Sequence, residues 1–525
     1  MQGLIGPLKE LAEFEELCKN KKKDVGMIRV CGCVNSQKSH MMYALGDGCK
    51  YKVIACSSET KAKQIYEEYR FLDSNTYLYP AKDFLFYQVD IRSKELVKQR
   101  MEGIQAVLSG EPVTVVTSLD GFMDHLAPKE SIAEKVLKIQ NDSVLKLDEM
   151  AEKLSVIGYD REVQVEGPGQ FAVRGGILDI YPLTEELPVR IELWGDEVDS
   201  IRTFDVESQR SIENLMDIVI YPAVEFPQNG EKGVSFLDYF PPEDTILFLD
   251  EPVRLVERGQ NIEDEFMEAQ KKRLESGYDL EEEEAKIFPV TEILKKINCY
   301  SSIGFYALGM KCKGLEVRES YEIQAKSVNP YNNSFEMLTQ DLKRLKRNGY
   351  RVILLSGSRT RAKRLAEDLR DYNLSSYYSE DLDREVKPGE IMTACGYIAE
   401  GYEYPMLKFT VIAESDIFGK RKKKKKRKTY EGRKIQSFSE LKPGDYVVHE
   451  NHGVGVYQGI EKIVVDKISK DYMKISYAQG GNLYIPATQL DLIQKYASAD
   501  AKKPKLNKLG TQEWNRTKTK VRGAV

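Results

Sequence analysis

At 525 residues, with 78 basic against 83 acidic side chains and a net charge of -5, the chain has room for three or four domains whose cores need no disulfide or metal staple. Near-neutrality argues against a globally basic nucleic-acid binder, so any attraction to phosphate must be local. The eight cysteines form no CxxC pair, no apolar run reaches about eighteen residues, and the opening MQGLIGPLKELAEFEELCKN lacks a basic n-region with a long apolar core, which together predict free thiols in a cytoplasmic protein with no spanning helix or signal peptide.

From Gly26 to Thr117 the short apolar runs MIRVCG, YKVIAC, NTYLYP and PVTVVTS alternate with amphipathic segments such as KAKQIYEEYRFL. This rhythm predicts a parallel sheet covered by helices. The first run enters Gly32-Cys33-Val34-Asn35-Ser36-Gln37-Lys38-Ser39, which has phosphate-loop spacing but carries Gln37 at the second glycine. A glycine there lets backbone amides close around phosphates, whereas a side chain restricts φ and fills the space. Three readings stand: a chance match, a working loop using Lys38 and Ser39, or a relic that keeps the architecture without binding nucleotide. The strand and helix that flank it favour the relic. Phe84, Phe86 and Tyr87, in a short run leading into the helix SKELVKQRMEGIQAVL, read as core rather than as base-stacking platforms.

The stretch from Tyr159 to Arg210 predicts a small antiparallel sheet with one wet face. Phe171 and Val173 alternate with Ala172 and Arg174, Gly175-Gly176 permits a bulge, and Val189, Ile191 and Leu193 alternate with Arg190, Glu192 and Trp194. Arg161 and Arg174 have two readings: guanidinium forks on a rigid platform, suited to carboxylates or phosphates on a partner, or merely solvated surface arginines, which spacing alone favours. The segment GYDR…GQFAVRGGILDIYP…VRIELWGDEVDSIRTFD resembles the second domain of the excision-repair helicase UvrB, and more closely the matching domain of the bacterial transcription-repair coupling factors, the Mfd family. That resemblance implies an inserted UvrA-binding domain at 126–215, with Arg161 and Arg174 as contacts and Phe171 shaping the surface. Ala172 stands where UvrB has a third arginine.

The same resemblance makes residues 1–125 and 216–325 the two parts of a degenerate P-loop domain. The apolar run Thr245 to Leu249 ends in Asp250-Glu251, the arrangement that holds Mg²⁺ and orients water in P-loop enzymes. The degenerate nucleotide site is therefore Gly32, Gln37, Lys38, Ser39, Asp250 and Glu251. Pro252-Val253 follows the acids where UvrB has Ser-His, and the UvrB hairpin that clamps DNA has no room after Tyr79. The acidic, helical residues 255 to 330 are assigned no chemistry.

Residues 326–419 repeat an α/β pattern and resemble the coupling factors' lineage-variable third domain, for which the family supplies no firm activity. The Ser356-Gly357-Ser358 turn lacks a following Lys-Ser/Thr, and Glu414-Ser415-Asp416 resembles a metal-holding strand end, so a structural role is favoured for both. A basic linker spans 420–438. Lys420 to Lys428 is all lysine and arginine, predicting an extended, solvated segment whose phosphate contacts would be salt-sensitive and sequence-blind.

Beyond it, Pro-Gly, His-Gly and Gly-Gly signals separate short strands at 439–496, predicting a small barrel. Its segments resemble the CarD-like domain of the coupling factors, which implies binding of the RNA polymerase β subunit through Ile463, flanked by Ile460 and Val464. His449 and His452 have no third ligand nearby and are not read as a metal site. Residues 497–525 resemble the start of the linker helix toward the family's motor, which implies an amino-terminal portion without the engine.

The predicted fold class is thus α/β multidomain: a degenerate P-loop helicase-like module with an inserted small antiparallel α+β domain, a second α/β domain, and a C-terminal small β-barrel of CarD/Tudor type. The resemblance implies an adaptor for stalled RNA polymerase and UvrA, with no catalytic residue, cofactor or metal of its own. ATP, Mg²⁺ and most contact with double-stranded DNA would belong to the motor of the complete translocase. The competing readings are a self-sufficient UvrB-like ATPase using Lys38, Ser39, Asp250 and Glu251, and a CarD-type transcription regulator.

Overall fold

The computed structural model describes residues 1–21, 23–82, 94–227, 231–275 and 287–419, and beyond these 432–434, 443–449, 452–465, 468–478, 481–486, 493–496, 504 and 506–508. Phe84, Phe86, Tyr87 and the run Lys420 to Lys428 lie outside the described residues. The chain forms two compact units, one of residues 1–82, 99–139 and 218–421 and the other of 83–98, 140–217 and 422–525. Among the described residues no helix is long and apolar enough to cross a membrane.

The first unit begins with an all-parallel sheet of seven strands: β1 (Gly26–Cys31), β2 (Tyr51–Cys56), β3 (Thr76–Tyr79), β4 (Val113–Ser118), β5 (Thr245–Asp250), β6 (Ser301–Phe305) and β7 (Val317–Glu322), in the order β7-β1-β6-β5-β2-β4-β3. Every residue of β4, β5 and β6 is buried, as continuous apolar runs require when helices cover both faces. Helix α1 (Asn35–Leu45) follows β1 directly, and α2 (Glu59–Leu72) starts at Ser58, whose hydroxyl accepts the Lys61 N–H.

A second sheet in the same unit contains β8 (Lys326–Ser327), β9 (Arg351–Ser356), β10 (Ser376–Ser379), β11 (Ile391–Cys395), β12 (Tyr402–Tyr404) and β13 (Phe409–Ala413), in the order β8-β12-β13-β9-β11-β10. The four strands from β13 to β10 are parallel, and β12 and β8 close the other edge antiparallel. The two-residue period of a strand divides this sheet's apolar residues between two cores. Val352, Leu354, Ile391 and Ile412 meet Leu338, Leu342 and Leu345 of α3 (Phe335–Arg347) and Leu365 and Leu369 of α4 (Arg359–Asp371). Ile353, Leu355, Met392 and Val411 instead join the core that holds Ile28, Val30, Phe248 and Phe305 of the first sheet.

In the second unit, the inserted residues form a six-stranded sheet in the order 211–215, 197–204, 189–194, 177–181, 170–174, 160–161, antiparallel except for the last pair. Gly175 adopts φ +60° in the turn from Arg174 to Ile177, and Gly195 adopts φ +65° in the turn after Trp194. One expectation is corrected here. The strand Gln170–Arg174 does not show one wet face throughout, because both Phe171 and Ala172 are buried and exposure begins only toward its end. The helix Leu147–Val156 packs against this strand.

The C-terminal residues of the same unit form six antiparallel strands in the order 432–434, 493–496, 446–449, 453–465, 468–476, 482–486. Val447, Tyr457, Met473, Ile475, Tyr477, Ile485 and Ile493 make their core. Among the described residues the pairing is an open series of strands, without a bond closing it into a barrel.

Candidate functional site

The segment with phosphate-loop spacing has its strand and helix but almost no loop. β1 ends at Cys31 and α1 begins at Asn35, so Asn35, Ser36 and Gln37, which a working loop would wrap around phosphate, are already helical. Gln37 allows this: its side-chain oxygen accepts the Val34 N–H at 3.2 Å, capping the helix from within. The Cys33 N–H is committed to the Tyr306 carbonyl at 3.1 Å and the Lys38 N–H to the Val34 carbonyl at 3.2 Å. Gly32 is required for a different reason from the one its motif suggests. It has φ +79°, and a Cβ would lie 2.4 Å from the Ile323 carbonyl oxygen, so the approach of the chain after β7 explains this glycine without a phosphate.

The catalytic-looking residues are brought together, but they bind one another. Lys38 Nζ donates to Asp250 Oδ1 at 2.8 Å and to Glu251 Oε1 at 2.6 Å, with Lys38 and Asp250 buried. Burial pulls the lysine's pKa down, but the attraction of Asp250 and the hydrogen bonds to both carboxylates outweigh it and leave the pKa raised. Glu251 holds a left-handed backbone, φ 53°, and its carboxylate also accepts the Ala307 N–H at 2.9 Å. Ser39, at the position whose hydroxyl meets Mg²⁺ in a working phosphate loop, donates to Glu68 Oε2 at 2.6 Å.

Glu68 is a residue that sequence reading missed. It is 1% exposed, and its carboxylate also accepts from Ser36 Oγ at 2.8 Å, Gln64 Nε2 at 3.1 Å and the Ala399 N–H at 3.2 Å. The available signal was its place between Ile65 and Tyr69 on the inward stripe of α2, where a glutamate demands partners. Buried His40 is equally committed. Its Nε2 lies 3.0 Å from the Leu4 carbonyl, which can only accept, so Nε2 carries the proton and Nδ1 accepts from the Tyr404 hydroxyl at 3.0 Å. Burial drives the His40 pKa down to about 4, opposed by the Leu4 hydrogen bond.

The Ser356-Gly357-Ser358 turn is also occupied from within. Glu414 Oε2 accepts the Gly357 N–H at 2.6 Å and the Ser356 hydroxyl at 2.9 Å, and its other oxygen meets the Arg361 guanidinium. A second missed group is the buried Arg100. It donates from Nε to Glu225 at 2.8 and 2.9 Å, from Nη2 to Asp124 at 2.8 Å and from Nη1 to the Pro80 carbonyl at 2.8 Å. Asp124 and Glu225 flank the insertion, so this one guanidinium ties its two ends.

In the inserted sheet Arg161 is exposed, and Arg174, 42% exposed, donates to Asp179 at 2.5 Å. Arg190 grips the same buried carboxylate at 2.7 and 3.0 Å, so Asp179 fixes the base from which Arg174 projects. Register sets Arg161 level with Phe171, which puts Arg174 three residues along, roughly 10 Å. Phe171 is 0% exposed and is corrected as a contact: it supports the strand from the core and offers no surface. Trp194, which the sequence reading used only to define alternation, is 85% exposed. It shares an end of the sheet with Arg174, since Arg174 pairs with Ile177, Ile177 with Glu192, and Trp194 lies two residues on.

Ile460, Ile463 and Val464 fall on the strand Gly453–Val465, paired with Met473, Lys470 and Ser469. This strand's other neighbour, Tyr446–His449, pairs only with Gly453 to Val456. Among the described residues the edge from Ile460 to Val465 therefore has backbone free of a second strand. The rings of His449 and His452 lie 4.7 Å apart, with His449 buried.

Residues 137–226 match the family described as the UvrB interaction domain, and residues 441–497 the family described as the CarD-like/TRCF RID domain. The chain is similar to the transcription-repair-coupling factor of Bacillus subtilis, 29% identical over 99% of this chain and 49% of that protein. It is also similar to that of Staphylococcus haemolyticus, 28% identical over 86% of this chain and 43% of that protein, and to that of Staphylococcus aureus strain MRSA252, 28% identical over 87% and 44%. The chain thus spans about half the length of the curated relatives it matches. Among solved structures, a hypothetical ATP-dependent RNA helicase from Sulfolobus tokodaii aligns with 75% of this chain and 82% of that one at 10% identity, with a TM-score of 0.22, which bears no weight for the fold.

Proposed function

We propose that this chain is the adaptor portion of a transcription-repair coupling factor, joining stalled RNA polymerase to the damage-recognition protein UvrA in the cytoplasm. The observation that carries the proposal is the presence, on one chain, of a UvrB interaction domain and a CarD-like/TRCF RID domain, with similarity to coupling factors along nearly its whole length. The inserted sheet is the UvrA grip. Arg161 and Arg174 offer guanidinium forks to carboxylates, and Trp194 adds an apolar anchor at the same end as Arg174. The C-terminal sheet, closing as a small barrel, is the polymerase grip. A strand of the β subunit adds to the open backbone edge around Ile460, Ile463 and Val464, which supplies main-chain hydrogen bonds while side chains set specificity.

The phosphate-loop relic contributes no hydrolysis in this reading, because Lys38 and the two acids satisfy each other. Translocation on double-stranded DNA, with its ATP and Mg²⁺, belongs to the complete factor. Capture of purified UvrA and of purified RNA polymerase on the immobilised chain, run side by side, tests the proposal. Binding of both supports it, binding of polymerase alone leaves a CarD-type regulator, and binding of neither refutes it.

A further inference from the structure

The geometry points to a working role for the second α/β domain: its segment 396–404 is the built-in occupant of the former nucleotide seat, holding the two sheets closed as one block. Ligands of parallel α/β sheets bind beyond the carboxyl ends of the strands, which is where α1 starts after β1. Five hydrogen bonds from this mouth go to the second domain. Gln37 Nε2 donates to the Tyr404 hydroxyl at 3.0 Å, and that hydroxyl donates to His40 Nδ1 at 3.0 Å. Asn35 Nδ2 donates to Glu400 Oε2 at 2.5 Å, Ser36 Oγ accepts the Glu400 N–H at 3.1 Å, and Glu68 accepts the Ala399 N–H at 3.2 Å.

Ser36, Gln37, His40, Glu68 and Tyr404 are all buried, so opening the joint would strand polar groups on both sides. The apolar part of the joint is equally shared, with the Tyr402 ring stacked on His40 at 5.2 Å and both sheets feeding one core. Gln37 is decisive. A glycine at this position has no side chain to reach Tyr404, so the substitution that spoils the phosphate loop also creates the joint. Two α/β domains commonly close around a ligand and reopen when it leaves. Here the ligand's place is taken by the chain itself, and closure is permanent.

The test is amide hydrogen exchange on the whole chain with Tyr404→Phe, which keeps the ring and removes only the hydroxyl, and with Gln37→Met, which removes the bond to Tyr404 together with the cap on the Val34 N–H. In both variants exchange should accelerate about fivefold or more at 35–45 and at 396–404 together, as expected for losing one linking hydrogen bond in Gln37→Met and two in Tyr404→Phe. Tyr331→Phe, which removes a hydroxyl bonded to Asp341 inside the second domain at 2.8 Å, should leave 35–45 unchanged. Acceleration confined to 396–404 in Tyr404→Phe would overturn the inference, as would protection of 33–40 in the wild-type chain by ATP with Mg²⁺. Neither result depends on whether UvrA or polymerase binds.

Discussion

Replacing Lys38 with methionine separates a structural lock from a working phosphate loop. The lysine, Asp250 and Glu251 side chains are 5%, 2% and 19% exposed, so little solvent is available to screen the two carboxylates once the cation is gone. Removing one partner of such a buried group costs about 3–5 kcal/mol, because an uncompensated charge remains. Converting all three together, with Asp250→Asn and Glu251→Gln added, should recover most of that loss. Urea unfolding followed by circular dichroism reads both variants. The sign of the pH dependence follows from the raised pKa of Lys38: its contribution is complete below the unfolded value of 10.5 and is lost only as pH rises through the still higher folded value. The gap between wild type and Lys38→Met should therefore stay flat from about pH 6 to 9. A loss below about 1 kcal/mol, the size of an exposed ion pair, would refute the lock. So would a stable Lys38→Met chain that loses ATP binding shown by the wild type.

Other expectations follow from the same geometry. Because burial lowers the His40 pKa from 6.5 to about 4, the unfolded chain binds the extra proton first as pH falls, and wild type should lose about 3 kcal/mol relative to His40→Gln between those values in paired urea titrations. Gly32→Ala should cost about 2 kcal/mol or more, from the left-handed backbone and the close Ile323 carbonyl, and added nucleotide should not change that figure. Arg100→Met removes the guanidinium while Lys82 still lies 3.1 Å from Glu225 and 2.6 Å from Asp124, and should cost about 3 kcal/mol, with faster amide exchange near 124 and 225. Trp194→Ala should weaken UvrA capture about tenfold or more while leaving thermal stability unchanged, since the ring is exposed.

Much of this architecture is legible in the sequence because burial on both faces writes itself as an unbroken apolar run. PVTVVTS and TILFLD could only be central parallel strands, and they are. The motif-like spacing of Lys38, Ser39, Asp250 and Glu251 is legible too, and the structure brings Lys38 to Asp250 and Glu251. What else these residues touch is not legible. The partners of Ser39 and Gln37 are Glu68 and Tyr404, set by packing between elements far apart in the chain, and no local period encodes such a pairing. Phe171 was misplaced for a different reason. Strand alternation sets it opposite Arg174, where it is buried, and only the resemblance made it a contact. Glu414 likewise fills the Ser-Gly-Ser turn from the end of a strand 57 residues away.

The central claim is that two separate surfaces on this chain hold two different partners. It is tested most directly by measuring capture of UvrA and of RNA polymerase by wild type, Arg161→Glu and Ile463→Glu in parallel. The account predicts that wild type takes both, that Arg161→Glu loses UvrA and keeps polymerase, and that Ile463→Glu does the reverse. Equal loss of both partners in either variant, or capture of neither by the wild-type chain, would contradict it.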